Sequence, residues 1–180
     1  MDEDNRLIDS YLSGNEEAVE SLIKKYQKEV YSLSYRVVSD MDEAKDITQK
    51  ALISAVKELK NFKKTSSFKT WLYRITVNTA LNHMRGNSLI KVELTETITS
   101  NEPGPVSSLI EKERERLLKS LLAALPVRQR LTVILRVYKD LSIAETAAVM
   151  GCSEGAVKAH YHSAIKKLRI SIAGKDVYEN

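Results

Sequence analysis

The stretch LSIAETAAVMGCSEGAVKAHYHSAIKKLR, residues 141–169, reads as two helices joined by a tight turn. Ser142 followed three residues later by Glu145 is a capping box, and Ile143, Ala144, Ala147 and Met150 form a short apolar stripe that ends at Gly151. A second helix starts at once, with Ser153 able to cap it. Val157, Tyr161, Ala164, Ile165, Leu168 and Ile172 recur at spacings of three and four, which assigns them to an inward stripe. Glu154, Lys158, Ala159, His162, Ser163 and Lys166 are left for the outer faces. A short helix, a glycine turn and a longer basic helix make a helix-turn-helix, whose second helix enters the major groove of DNA amino-terminus first. A plain helical hairpin is the bland alternative, but small residues at the turn and a basic outer face suit DNA docking better.

The same periodicity extends outward through almost the whole chain, with no strand alternation, so the fold is expected to be all-α. A short helix over about 4–13 ends at Gly14. Asn15, Glu16 and Glu17 open a second helix with the stripe Val19, Leu22, Ile23, Tyr26, Val30, Leu33 and Val37. A third, after Asp42, turns Ala44, Ile47, Ala51, Leu52, Ala55, Val56 and Leu59 inward. A fourth, capped by Ser66 or Ser67, runs from about Phe68 to Arg85 and is expected to stop at Gly86. Residues 87–107 are rich in Ser, Thr and Asn and contain Pro103-Gly104-Pro105, which reads as a flexible linker. Beyond it, a helix over about 108–124 presents Leu117, Leu118, Leu121, Leu122 and Leu125, Pro126 breaks it, and another spans about Val127 to Tyr138. The expected architecture is two small helical domains, 1–86 and 108–173, with a tail at 174–180.

Charge divides along the same lines. The net charge of +4 hides a partition: residues 1–59 carry 8 basic and 13 acidic side chains, 60–91 carry 7 and none, and 111–172 carry 12 and 6. In the acid-free segment Phe62, Phe68, Trp71 and Tyr73 are threaded among the basic residues, a composition suited to phosphates and unpaired bases. Trp71 and Tyr73 diverge by about 200° on a helix, so one of them belongs to the core, and Trp71 is expected to be at least partly buried. The acidic start at Met1 to Asn5 lacks a secretion-signal pattern and no apolar run approaches the roughly 18 residues of a membrane span, so a cytoplasmic location is expected. Cys152 is the single cysteine. With His160 and His162 it invites a metal reading, but histidines two apart point to different sides of a helix, and no metal or cofactor is expected.

Three segments carry a resemblance: DEAKDITQKALISAVKELKNF (42–62), FKTWLYRITVNTALNHMR (68–85) and residues 125–169, beginning LPVRQRLTVILRVYKD. Together, in order and spacing, they resemble the extracytoplasmic-function (ECF) sigma factors of the sigma-70 family, over roughly residues 5–172. The resemblance implies a non-catalytic initiation subunit that binds core RNA polymerase, with a region two that melts the minus-ten element and a region four that reads the minus-thirty-five element. An anti-sigma factor is the further partner it implies. Carried over by position, Asp46, Gln49 and Lys50 lie at the polymerase-binding face. Lys69, Trp71, Tyr73, Arg74, Asn78, Asn82 and Arg85 fall in the minus-ten recognition and melting segment. Arg136, Ser153, Glu154, Lys158, Ala159, His162, Ser163 and Lys166 belong to minus-thirty-five binding. Lys45 and Lys50 depart from the family's frequent glutamates, and His160 and Ser163 from its frequent arginines. A stand-alone helix-turn-helix regulator is the alternative, and the FKTWLYR block is what such a regulator has no reason to carry. A nuclease or polymerase would need convergent carboxylates for metals, which the basic segments lack.

Overall fold

The computed structural model describes residues 3–90 and 109–176, and all regular structure among them is helical. Helices α1 (Glu3–Leu12), α2 (Glu16–Val38), α3 (Met41–Glu58) and α4 (Phe68–Ile90) make the first half, and α5 (Leu109–Ala123), α6 (Val127–Val133), α7 (Ile143–Met150) and α8 (Glu154–Asp176) the second. A 3-10 turn, Leu59–Asn61, follows α3, and a π-helical turn, Ile134–Tyr138, continues α6.

Local chemistry sets the helix starts. The Asn15 side chain accepts from the Glu17 amide, and Asp40 accepts from the amides of Asp42 and Glu43, so α3 begins one residue ahead of Asp42. Of the two serines proposed to cap α4, Ser67 accepts from the Thr70 amide at 3.1 Å. Two helices outrun their expected ends. Gly86 lies inside α4, which continues to Ile90, because a helical glycine costs only about 1 kcal/mol. Likewise α8 runs past 173 to Asp176, into the segment expected to be a tail. Most of the expected linker, 91–107, and the last residues of the tail, 177–180, lie outside the described residues.

Helices α2, α3 and α4 pack on one another, with α1 laid against α2, around Ile8, Leu22, Tyr26, Val30, Ala51, Leu59, Phe68 and Leu72. In the second half α8 packs on α6 and α7, and Leu122, Leu125, Val133 and Ala164 form a small core. Leu117 and Leu118, expected inward, are 37% and 41% exposed, and Ile172 is 47% exposed. Their stripes continue past the end of the surface they pack on. The two halves are not separate bodies joined only by a tether. Leu33, Val37, Ile47, Tyr73, Val77 and Ala80 share one core with Leu131, Ile134, Leu135, Leu141 and Val149.

Candidate nucleic-acid interface

On α4, Arg74, Asn78, Asn82 and Arg85 are all exposed, and their spacing of four, four and three residues sets them on one face. The opposite face holds Leu72, Tyr73, Val77 and Ala80, each 1% exposed or less. Trp71 is half-buried at the edge between the two, its ring 5.1 Å from Phe62 and 5.6 Å from Phe68. The expected divergence of Trp71 and Tyr73 is observed, and Tyr73 is the one taken fully inside. Its hydroxyl donates to Glu29 Oε2, and Lys69 Nζ lies 3.2 Å from the same oxygen. Burial, then the bond to Glu29, holds the Tyr73 phenol well above its ordinary range. Burial alone would raise the Glu29 carboxyl, but the bonds from Tyr73 and Lys69 and the charges of Lys69 and Lys139 hold it low. Lys69 and Tyr73 therefore belong to a cluster on the covered side of α4, apart from the exposed stripe.

Across the α3–α4 contact the polymerase-face candidates stay at the surface. Gln49 is exposed, Lys50 Nζ pairs with Asp46 Oδ2 at 2.6 Å, and Lys45 pairs with Asp42 at 3.1 Å. His83, which the sequence reading did not single out, places Nδ1 3.8 Å from Asp46 Oδ2 and Nε2 3.6 Å from Glu43 Oε1, joining α4 to this face.

The turn between α7 and α8 is built as its sequence suggests. Ser142 and Glu145 complete a reciprocal capping box, with the Ser142 amide donating to Glu145 Oε2 at 2.8 Å. The Ser142 side-chain and backbone bonds hold the Glu145 carboxyl below its ordinary range. Gly151 ends α7 at φ 60°, a left-handed conformation that favours glycine, and Ser153 Oγ accepts from the Ala156 amide at 3.2 Å. Along α8, Glu154, Lys158, His162 and Lys166 recur every four residues as an exposed row, flanked by exposed Ser153 and Ala159. Val157 and Ala164 face inward with no exposure. Two candidates differ from expectation. Ser163 is half-buried, and Arg136, expected to reach phosphate, donates from Nη1 to the Leu141 carbonyl, bracing the turn ahead of α7. Among the described residues no group of three or more His, Cys, Asp and Glu side chains is gathered as a metal site.

The geometry is thus two exposed polar helix faces, one in each half, flanked by basic residues. The model of sigma-70 region 2 matches residues 22–89, and that of sigma-70 region 4 matches residues 115–168. The chain is 33% identical to the RNA polymerase sigma-H factor of Pseudomonas aeruginosa over 169 residues, covering 88% of each. It is 32% identical to the ECF RNA polymerase sigma-E factor of Escherichia coli strain K12, covering 86% of each chain. The chain belongs to the ECF sigma factors. The solved structure of CnrH in complex with the cytosolic domain of CnrY shares the fold, with a TM-score of 0.74 at 21% identity, over 96% of this chain and 99% of that one. As an ECF sigma factor, the protein directs promoter recognition in transcription initiation. No helix among the described residues is long and apolar enough to cross a membrane.

Three residues that matter to the packing of regions two and four were absent from the sequence reading: Glu29, His83 and Lys139. Each acts through a partner distant in the chain, and no spacing rule within one helix marks it.

Proposed function

We propose that the two exposed faces divide the promoter between them, with region two on the minus-ten element and region four on the minus-thirty-five element. Asp46, Gln49 and Lys50 on α3 meet core RNA polymerase. Arg74 and Arg85 on α4 attract the backbone of the opened strand, and Asn78 and Asn82 present amide donors and acceptors to an extruded base, whose unstacking costs a few kcal/mol. Trp71 offers its exposed edge for stacking. On α8, Lys158, His162 and Lys166 line the major-groove side, with Ser153 and Glu154 at the amino-terminal end that reaches base edges first. The observation that carries this reading is the pair of four-residue-spaced exposed rows, 74/78/82 and 154/158/162/166, each in the half that matches its own family model. The protein acts in the cytoplasm, without chemistry of its own. An anti-sigma factor is its further partner, a proposal supported by the likeness in fold, at a TM-score of 0.72, to the sigma factor RpoE of Bartonella quintana in its complex with the anti-sigma factor NepR.

The test is run-off transcription with bacterial core polymerase on a library of promoter fragments, with and without the protein, followed by sequencing of the transcript starts. Protein-dependent starts that share two spaced elements are expected. Binding to duplex DNA without core polymerase, and no new starts with it, would overturn the reading in favour of a stand-alone regulator.

A further inference from the structure

The contact between regions two and four is not a loose juxtaposition. Tyr73, Val77 and Ala80 of α4 are 0–1% exposed, and the side chains that cover them include Ile134, Leu135 and Val149 of region four. Charged and aromatic ties frame this apolar seam. Lys139 Nζ donates to the Glu29 carbonyl oxygen at 3.1 Å, and the Arg36 guanidinium lies 3.8 Å from the centre of the Tyr138 ring. Lys119 Nζ donates to the Tyr35 hydroxyl at 3.2 Å. Tyr138 and Lys139 sit at the π-helical turn and directly after it, where the Lys139 amide bonds back five residues to the Ile134 carbonyl. The extra residue in the turn marks the same short segment that supplies Ile134 and Leu135 to the seam, and such turns are frequent where a helix is specialised for a contact.

Distances make this arrangement incompatible with simultaneous reading of two promoter elements. Helix α4 packs directly on α7, and α7 on α8. At about 8–10 Å between packed axes, α4 and α8 lie roughly 20 Å apart at the contact. Two elements separated by about two turns of duplex lie roughly 70 Å apart.

We propose that region four is a built-in lid on region two: the free chain rests closed on the Tyr73–Val77–Ala80 face of α4, and the seam must part before both promoter elements can be engaged. This inference rests on the functional reading above for what opening permits, but closure itself is a property of the chain alone. The seam is region four's resident site on region two. Each half keeps a core of its own when it parts, around Leu22, Tyr26 and Leu72 on one side and around Leu122, Val133 and Ala164 on the other. The reading row of α8 stays exposed in the closed state, so the lid silences by geometry and leaves the recognition helix uncovered.

The test uses the full chain with Cys152→Ala and dyes on Lys57→Cys and Lys167→Cys, both exposed positions, read by single-molecule energy transfer. Lys139→Glu sets a carboxylate against Glu29, and Arg36→Glu removes the cation over Tyr138. Neither side chain belongs to either half's own core, so both variants should fold. A compact parent population that shifts to a low-transfer one in both variants is the expected result. If the open fraction rises from about one in twenty to about one in two, run-off transcription with core polymerase at sub-saturating protein rises about tenfold on promoter fragments that carry both elements, because only the open form can engage the two together. An extended parent, or variants that stay compact, would overturn closure. Opened variants that drive no more transcription from these promoters than the parent would overturn the lid. If polymerase binds none of the proteins, the sigma-site reading fails, while the energy-transfer arm still decides closure.

Discussion

Asp4 is 4% exposed, yet it lies near the start of the first helix, where an acid would ordinarily face water. The Tyr26 hydroxyl donates to it at 2.5 Å and Lys25 Nζ at 2.7 Å, so a carboxylate that would be costly to bury alone is satisfied from α2. Asp4→Ala should cost about 1–3 kcal/mol, the usual penalty for leaving a buried hydroxyl without its partner, read as a fall in the urea midpoint at unchanged slope. The bonds from Lys25 to Asp4 and then Glu3 raise the lysine above its ordinary value. Its share of stability is therefore complete below the unfolded value of about 10.4 and is lost only in stronger alkali. At the polymerase face the balance differs. Lys50 and Asp46 form an exposed pair one turn apart, which contributes about 0.5 kcal/mol at most. Lys50→Ala should leave the urea midpoint almost unmoved, so a change in core-polymerase affinity, measured by titration, reports the interface itself. An affinity identical to the parent's would remove Lys50 from that face.

At the scale of elements, capping decides where helices begin. Ser142→Ala removes one half of the α7 capping box and should cost about 1 kcal/mol. The loss should shrink as pH falls through the lowered Glu145 value, because a depressed carboxyl stabilises above its unfolded pKa and that stabilisation disappears on protonation. Thermal melts of parent and variant at pH 7 and at about pH 3 check both parts, and a pH-independent difference would argue against the Ser142 hydroxyl as a support of the charged Glu145 carboxylate. Caps of this kind were legible in the sequence because they are local: Asn15, Ser67, Ser142, Gly151 and Ser153 all act within a few residues. The exposed rows of α4 and α8 were legible for the same reason, being what remains once an apolar stripe is assigned. Gly86 was misread because the helix penalty of one glycine is small enough for the rest of α4 to override. Glu29, Tyr73 and Lys139 were not legible as a cluster. They come from α2, α4 and the residue after the π-helical turn, and no period within one helix relates them. The surface that the two domains share was not legible either, since Leu33, Val37 and Val77 satisfy an inward stripe equally well whichever half covers them.

In the whole molecule, the charge at Lys139 tunes how firmly the halves close. Burial, opposed in part by the Glu29 charge, lowers the Lys139 ammonium below its ordinary value, with Arg36 and Lys69 adding to the depression. Tyr73, whose ring centre is 5.7 Å from Nζ, faces the same ammonium. Opening returns Lys139 to water and to a pKa near 10.4. The open form therefore binds more protons wherever pH lies between the lowered value and about 10.4, and closure must strengthen as pH rises through that window. Glu29 acts in the same direction at the acid end: its lowered carboxyl favours closure above its ordinary value, and the part supplied by Lys139 is lost on protonation. Lys139→Met keeps the length of the side chain and removes the charge whose desolvation opposes closure. A value lowered on closure means that carrying the charge at this half-buried position opposes closure, so an uncharged side chain of similar length does not weaken it on that account. The closed fraction of Lys139→Met, followed by energy transfer, should thus match or exceed the parent's at neutral pH and lose the parent's rise in mild alkali. A rise as steep as the parent's would place the proton on another group, with Tyr73 excluded because its phenol is held well above the ordinary range.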